Sequence, residues 1–431
     1  MKVIKYVTDI SKNKYYEEEE LEIKEENLSE WYQIRVIDDE KRQEWLGMGG
    51  AITQASTNSF LHLDEDDRKK FLEACFGTNG LNYKYIRIPI GSCDFSPVSY
   101  TYLDGEEFSI DKDRELLFPL LKEVVNNYQV SILATPWTPP PKYKTNNSYF
   151  GGHLDKKYYN DYANYLIQYL EAYKREGIDI NYLSIQNEPL AKQRWESCVW
   201  DLNDYKLFMS DYLIPNLSKK KSDCKLILWE HNKEDLYNVV NSIMLDSKYI
   251  EGVGFHWYTG SYFEQVRLVR EKYPKLMIME TEMCCGYSLY NENKWVQDAL
   301  LYLKEIIGNI NSGLNVFIDW NILLQYNGGV NHKFNYCKSP IILNKYKNDY
   351  IETPIYDYLK HLGGIPSGSR VVVSSSYTDD LKVVSFVKDD AKYIIILNVS
   401  DELRDYVIPC KDGIIEDTIN GYSITTIKIE K

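Results

Sequence analysis

Between about residues 45 and 361, short apolar runs alternate with longer amphipathic segments eight times over, and nothing else in the chain restricts its fold as much. The runs are WLGMGGAIT (45–53), YKYIRIPI (83–90), VSILATPW (130–137), INYLSIQNEP (180–189), CKLILWEHN (224–232), VGFHWY (253–258), LMIMETE (276–282) and LNVFIDWNILL (314–324). They are short, β-branched or aromatic, and mostly apolar along their length, as strands buried on both faces are. Between them the spacing turns helical. Tyr162, Leu166, Tyr169 and Tyr173 fall on one face, with Gly177 as a stop signal, and further helices are expected at 293–310 and about 353–361. Eight strands, each followed by a helix, make the count of an α/β-class (β/α)8 TIM barrel. An open doubly wound sheet would call for a GxGxxG turn after the first strand, and none is present.

The two ends read differently. Residues 1–44 hold strand-like segments, YEEEELEIK and EWYQIRVID. After Pro366-Ser367-Gly368 the chain runs through RVVVSSSYTDDLKVVSFVKDDAKYIIILNVS to its end without a helix signal, and Asp379-Asp380 and Asp389-Asp390 sit where hairpin turns would fall. The expectation is an all-β sandwich formed by residues 362–431 with the strands of 1–44 added, and the barrel (45–361) inserted between them. No flexible linker separates the two units, so rigid packing is expected.

Charge and cysteine usage narrow the function classes. Fifty basic against 64 acidic side chains leave a formal charge of −14, which repels phosphate backbones and argues against a nucleic-acid partner. No apolar run is long enough to cross a bilayer, and MKVIKYVTDISKNKYYEEEE lacks the apolar core and cleavage site of a secretion signal. Asn146-Asn147-Ser148 is then a chance sequon. The eight cysteines make no CxxC pair, and the six histidines do not cluster at ligand spacing. These features suit reduced thiols in a cytoplasmic protein without a metal. The 38 tyrosines could supply sugar-binding faces, although a chain also rich in Lys and Asn carries many by composition alone. Oligomeric state has no signal here.

In such a barrel the reacting groups lie at the C-terminal ends of the strands. Those ends carry Arg87 leading to Asp94, then Trp137, Asn187-Glu188-Pro189, Trp229-Glu230-His231-Asn232, His256-Trp257-Tyr258, Glu282 and Asp319-Trp320-Asn321. One buried acid is as often a structural ion pair as a working group. Two acids with an amide and aromatic rings at one barrel end are harder to explain so, and glycoside hydrolysis needs such a set. A neutral carboxylic acid protonates the leaving oxygen, and an ionised carboxylate, about 5–5.5 Å away in retaining enzymes, attacks the anomeric carbon. Asn187 could bind a sugar 2-hydroxyl, and Trp137 and Trp320 could wall the ring. In the seventh strand Glu282 is nearer the C-terminal end than Glu280. At two-residue spacing both are expected on one side, Glu280 a layer deeper and paired with Arg87.

The segments GMGGAITQAS (47–56), RIPIGSCDFS (87–96), ATPWTPPPKYKTN (134–146), QNEP (186–189), HWY (256–258), TEMCCG (281–286), DWN (319–321) and HLGGIPSGSRVV resemble, in order, glycoside hydrolase family 30, which includes glucosylceramidases. The resemblance implies a barrel joined to a β-sandwich and retaining hydrolysis of β-linked sugars, with neither metal nor cofactor. It puts Glu188 at the acid/base position and Glu282 at the nucleophile position. Asp94 and Trp137 fall where the non-reducing sugar binds, Asn187 at its 2-hydroxyl, and His256, Tyr258 and Trp320 at further pocket positions. The implied substrate is a β-glucoside or glycoconjugate. β-Xylosidase, β-fucosidase and β-1,6-glucanase specificities are the neighbouring alternatives, and a non-catalytic carbohydrate-binding protein the more distant one. Three departures bear on the pocket: Gln54 where many relatives have Asp, the proline run 139–141, and a short loop, LAKQRWESCVW, after Pro189.

Overall fold

The computed structural model describes residues 2–25, 32–105, 107–286 and 294–430. Residues 30 and 31 of EWYQIRVID and the first residue of the helix expected at 293–310 lie outside these. Eight parallel strands close into a barrel: β1 (Gly47–Ala51), β2 (Tyr85–Ile90), β3 (Ser131–Pro136), β4 (Tyr182–Leu183), β5 (Lys225–Asn232), β6 (Ile250–His256), β7 (Met277–Glu282) and β8 (Val316–Asp319). The strands pair in chain order, and β8 closes on β1 through Val316–Gly47 to Asp319–Gly50.

Tyr85, Leu133, Ile227, Met277, Met279, Val316 and Ile318 fill the barrel interior, while the alternate residues Ile86, Ile88, Ile132 and Ala134 face the surrounding helices. This two-sided burial is why the strands read as nearly continuous apolar runs. β1 needs its glycines, because a Cβ on Gly49 would lie 2.1 Å from the Tyr85 carbonyl oxygen. The run 180–189 yields only a two-residue strand, since its later residues leave the ladder to enter the site.

The helix Tyr159–Arg175 buries Tyr162, Leu166, Tyr169 and Tyr173. Tyr102 stacks between Tyr165 and Tyr169, with centroids 5.8 and 5.7 Å away. The hydroxyls of Tyr100, Tyr102 and Tyr173 all donate to the buried Asp113 carboxyl, at 2.6, 2.5 and 2.5 Å. Burial raises that carboxyl to about 6, the three donors offsetting part of the effect. These tyrosines build the helix layer rather than a sugar platform.

The chain ends form the second unit. Its seven-stranded antiparallel sheet runs in the order Lys14–Leu21, Lys2–Asp9, Ile424–Glu430, Ala391–Asn398, Leu381–Lys388, Ser369–Ser376, Ile34–Trp45. A hairpin of Arg404–Cys410 and Gly413–Ile419 packs against it over Ile34, Ile394, Ile396, Tyr406, Ile408, Ile415 and Ile427. The expected hairpin turns at Asp379-Asp380 and Asp389-Asp390 lie between paired strands. Trp45 ends a strand of this sheet, so the barrel begins at Gly47 rather than at 45. The helix Pro354–Gly363 ties the two units together: His361 Nδ1 lies 2.8 Å from Thr426 Oγ1 and Nε2 lies 3.0 Å from Thr8 Oγ1. All eight cysteines are unpaired, seven of them buried. Among the described residues no helix is long and apolar enough to cross a membrane.

Candidate active site

The site grows from Arg87, whose side chain follows Tyr85 into the barrel and is wholly buried. Its Nη1 donates to Glu282 Oε2 at 2.7 Å, and Nη2 donates to Asn187 Oδ1 at 2.7 Å and Glu230 Oε2 at 3.2 Å. The guanidinium also lies over the Trp137 ring at 4.8 Å and the Trp320 ring at 5.6 Å. Those two indoles stack on each other, centroids 5.4 Å apart and 23° from parallel. With the Asn187 oxygen committed to Arg87, its NH2 end turns to the pocket.

Asn187 and Glu188 lie beyond the end of β4 and are fixed by their backbones. Asn187 N donates to Pro136 O at 2.8 Å and Glu188 N to Glu230 O at 2.9 Å. Glu188 adopts φ +47°, a conformation unusual for a residue with a side chain. Its Oε1 lies 3.2 Å from His256 Nδ1, and its Oε2 accepts from Gln193 Nε2 at 3.1 Å. Burial raises the Glu188 carboxyl, but the His256 contact, nearby His231 and the Gln193 amide outweigh it and hold the group down at about 2.

Glu282 reaches the pocket through a β-bulge. The pairing of β7 with β6 slips between Glu280 and Glu282, so that Glu280 pairs with Phe255 and Glu282 with His256. Met277 and Met279 face inward in the usual alternation, and the extra residue brings Glu282 in as well. The expected Arg87–Glu280 pair is thus incorrect. Glu280 faces the helix layer, where Asn309 Nδ2 donates to its Oε2 at 2.9 Å. Burial pushes Glu280 up to about 8, with Lys233 pulling it partly back and Glu305 adding to the rise. Lys233 is itself bonded to Glu305 and to Asn309 Oδ1. Asp319 likewise faces outward and accepts from Tyr302 OH at 3.1 Å.

A second bulge lies in β5, where Trp229 and Glu230 take φ +77° and +63° and the pairing with β6 slips before His231. It turns Glu230 inward to Arg87 and to Thr135 Oγ1, which donates at 2.6 Å. Burial raises Glu230, and Arg87 and His256 more than reverse this, leaving it below its usual range.

Tyr258 has 42% of its surface exposed at the rim, yet its hydroxyl reaches down to donate to Glu282 Oε1 at 2.8 Å. Burial, Cys284 and the Glu282 charge keep that phenol well above its ordinary value, so it stays a donor. Asp94 is buried and accepts from Asn335 Nδ2 at 2.8 Å. Burial raises Asp94 to about 7, with Asn335 offsetting part of the rise. Gln54 braces the same loop, donating to Tyr100 OH at 2.7 Å and accepting from Ser96 Oγ at 2.9 Å.

All nine residues singled out in the sequence, namely Glu188, Glu282, Asp94, Trp137, Asn187, His256, Tyr258, Trp320 and Arg87, thus lie in or around one mouth. Gln193, Glu230 and Asn335 were not singled out. Glu230 stood at a strand end, a usable signal, whereas the other two sit in patternless loops. One carboxylate oxygen of Glu188, one of Glu282 and a ring nitrogen of His256 lie within 4.8 Å of one another. A divalent cation could be held there, but all four carboxylate oxygens already accept from Gln193, Tyr258 and Arg87 or lie against His256.

Two carboxylates facing each other at an aromatic-walled barrel mouth are what a barrel glycoside hydrolase requires. The description "Glycosyl hydrolase family 30 TIM-barrel domain" matches residues 46–365, and the chain belongs to that family. It is 30% identical to the mouse (Mus musculus) lysosomal acid glucosylceramidase over 420 residues, 90% of this chain and 81% of that protein. The solved structure of SrfJ from Salmonella typhimurium superposes with a TM-score of 0.96 at 30% identity, covering 100% of both chains. The endo-β1,6-glucanase BT3312 superposes with a TM-score of 0.89 at 25% identity, covering 100% of this chain and 99% of that one.

Proposed function

We propose that the chain is a retaining β-glycosidase that releases a β-linked glucosyl residue, with Glu282 as nucleophile and Glu188 as acid/base. One observation carries the reading: a Glu188 and a Glu282 oxygen lie within 4.8 Å of each other. Oxygens this close suit the short carboxyl separation of retaining enzymes, about 5–5.5 Å, better than the roughly 6.5–9.5 Å by which inverting ones admit a water. Arg87 and Tyr258 aim Glu282, each donating a hydrogen bond to one of its two oxygens. Glu188, in its protonated form, gives its proton to the leaving oxygen as Glu282 attacks the anomeric carbon. Glu188 then takes a proton from the water that releases the sugar. Asp94 and Asn335 fit the far hydroxyls of a hexose, Asn187 the 2-hydroxyl, and the stacked indoles the apolar ring face.

A fluorinated glucoside inactivator should label Glu282, and proton NMR of the first product formed should show the β-anomer. An α-anomer would overturn retention, and label on another residue would overturn the assignment. A panel of chromogenic β-glycosides decides the sugar: xyloside or fucoside cleaved faster than glucoside refutes the glucosyl preference. A β-1,6-glucan is the second substrate to try, favoured by the full-length match to the endo-β1,6-glucanase fold.

A further inference from the structure

Resting on the reading of Glu188 as the acid/base, we propose that Gln193 is a positioning residue for that reaction. A carboxyl group rotates easily about its last side-chain torsion, which has no sharp minima. His256 restrains only Oε1. Gln193 Nε2 restrains the other oxygen, at 3.1 Å, and the two contacts together fix the carboxyl plane.

The loop carrying Gln193 is itself anchored. Gln193 N donates to Ser197 Oγ at 3.2 Å, and Gly151 N donates to the same oxygen at 3.0 Å. The Ser197 carbonyl accepts from Lys144 Nζ at 2.7 Å, and that ammonium also donates to Thr138 Oγ1 at 2.8 Å. Lys144 is buried, and burial lowers it to about 8. The loop after β3 thereby holds the loop after β4, and the latter holds the acid/base.

The choice of a primary amide follows from what Glu188 must do. Its NH2 donates to a carboxylate, and its carbonyl can accept from a carboxylic O–H after an amide flip. Glutamine therefore supports the group both as acid and as base. A lysine would pin the anion, and an apolar side chain would leave a buried oxygen unpaired.

Two aryl glucosides separate positioning from loop support. A dinitrophenyl leaving group departs without a proton, whereas an alkyl or methoxyphenyl aglycone needs one. Gln193→Ala should lower kcat/KM about tenfold on the poor leaving group, a fraction of the 10²–10⁴ that general acid catalysis supplies, and less than about twofold on the activated one. Ser197→Ala, which keeps the amide but loosens its anchor, should show the same pattern more weakly and serves if Gln193→Ala fails to fold. Equal losses on both substrates, or none on either, overturn the positioning role. Glu188→Ala is the separate control. It should spare the dinitrophenyl substrate in the presence of azide; if it does not, the acid/base reading has failed rather than the role of Gln193.

Discussion

Arg87→Met tests whether one cation holds the pocket's charges together. The guanidinium is fully buried between Glu282 (2.7 Å), Asn187 (2.7 Å) and Glu230 (3.2 Å). Methionine keeps an unbranched apolar stem and removes the charge, leaving two carboxylates without their cation. Removing one partner of a buried ion pair costs about 3–5 kcal/mol, so unfolding free energy at pH 7 should fall by about that much. The loss should also depend on pH. In the parent protein Glu230 is held below its unfolded value against burial, chiefly by Arg87. A carboxyl depressed in this way contributes stability above its unfolded value, about 4.3, and loses it as pH falls through the folded one. Without Arg87, burial dominates and Glu230 rises above its unfolded value. It then binds a proton on folding, a penalty present at neutral pH that shrinks as pH falls toward about 4.3. The gap between parent and variant should narrow by about 1.4 kcal/mol per pH unit over which one extra proton is bound. Urea melts at pH 7, 6 and 5 measure it. A gap constant with pH would show that Arg87 acts by packing alone, and one under about 1 kcal/mol at pH 7 would refute the charge argument.

Tyr258→Phe removes the 2.8 Å donor from Glu282 Oε1. Hydrogen bonds to charged groups are worth about 1.5–3 kcal/mol, so kcat/KM on an activated glucoside should fall about 10- to 100-fold with little change in melting temperature. Asp94, raised to about 7 by burial and pulled partly back by Asn335, should give the KM of a neutral glucoside a midpoint near that pH. Asn335→Ala removes the donor that lowers Asp94, so the midpoint should move to higher pH. A KM profile unmoved by Asn335→Ala between pH 5 and 9 would show that Asp94 does not titrate in sugar binding.

The alternation that makes the barrel legible is the rule that fails at its mouth. Strands buried on both faces announce themselves by composition, so seven of the eight barrel strands lie within the runs read from the sequence, and β6 starts three residues before its run, at Ile250. The inward or outward sense of a particular acid rests on unbroken period-2 counting, and β5 and β7 both break it against β6. A bulge is written in ladder hydrogen bonds between strands, which a single strand's sequence does not display. Period-2 counting therefore puts Glu280 on the wrong face and leaves Glu230 without a role.

β6 does carry a trace of its two bulged neighbours, in Gly254. A Cβ there would lie 2.9 Å from Thr281 Cγ2 on β7 and 3.1 Å from Glu230 Cγ on β5. Glycine at this position makes the room into which both bulges fold. The obstructing atoms are side chains, so Gly254→Ala should still fold, at a cost of about 1–3 kcal/mol for overpacking. It should displace Glu230 from Arg87, and through Arg87 disturb the aim of Glu282. kcat/KM should therefore fall on activated and poor leaving groups alike, unlike the pattern expected for Gln193→Ala. Gly252→Ala is the contrasting control: its Cβ would meet the Met277 backbone carbonyl oxygen at 2.4 Å, so it should lose the fold first. A folded Gly254→Ala enzyme with parental kcat/KM would mean that the bulges do not set the geometry of the carboxylates.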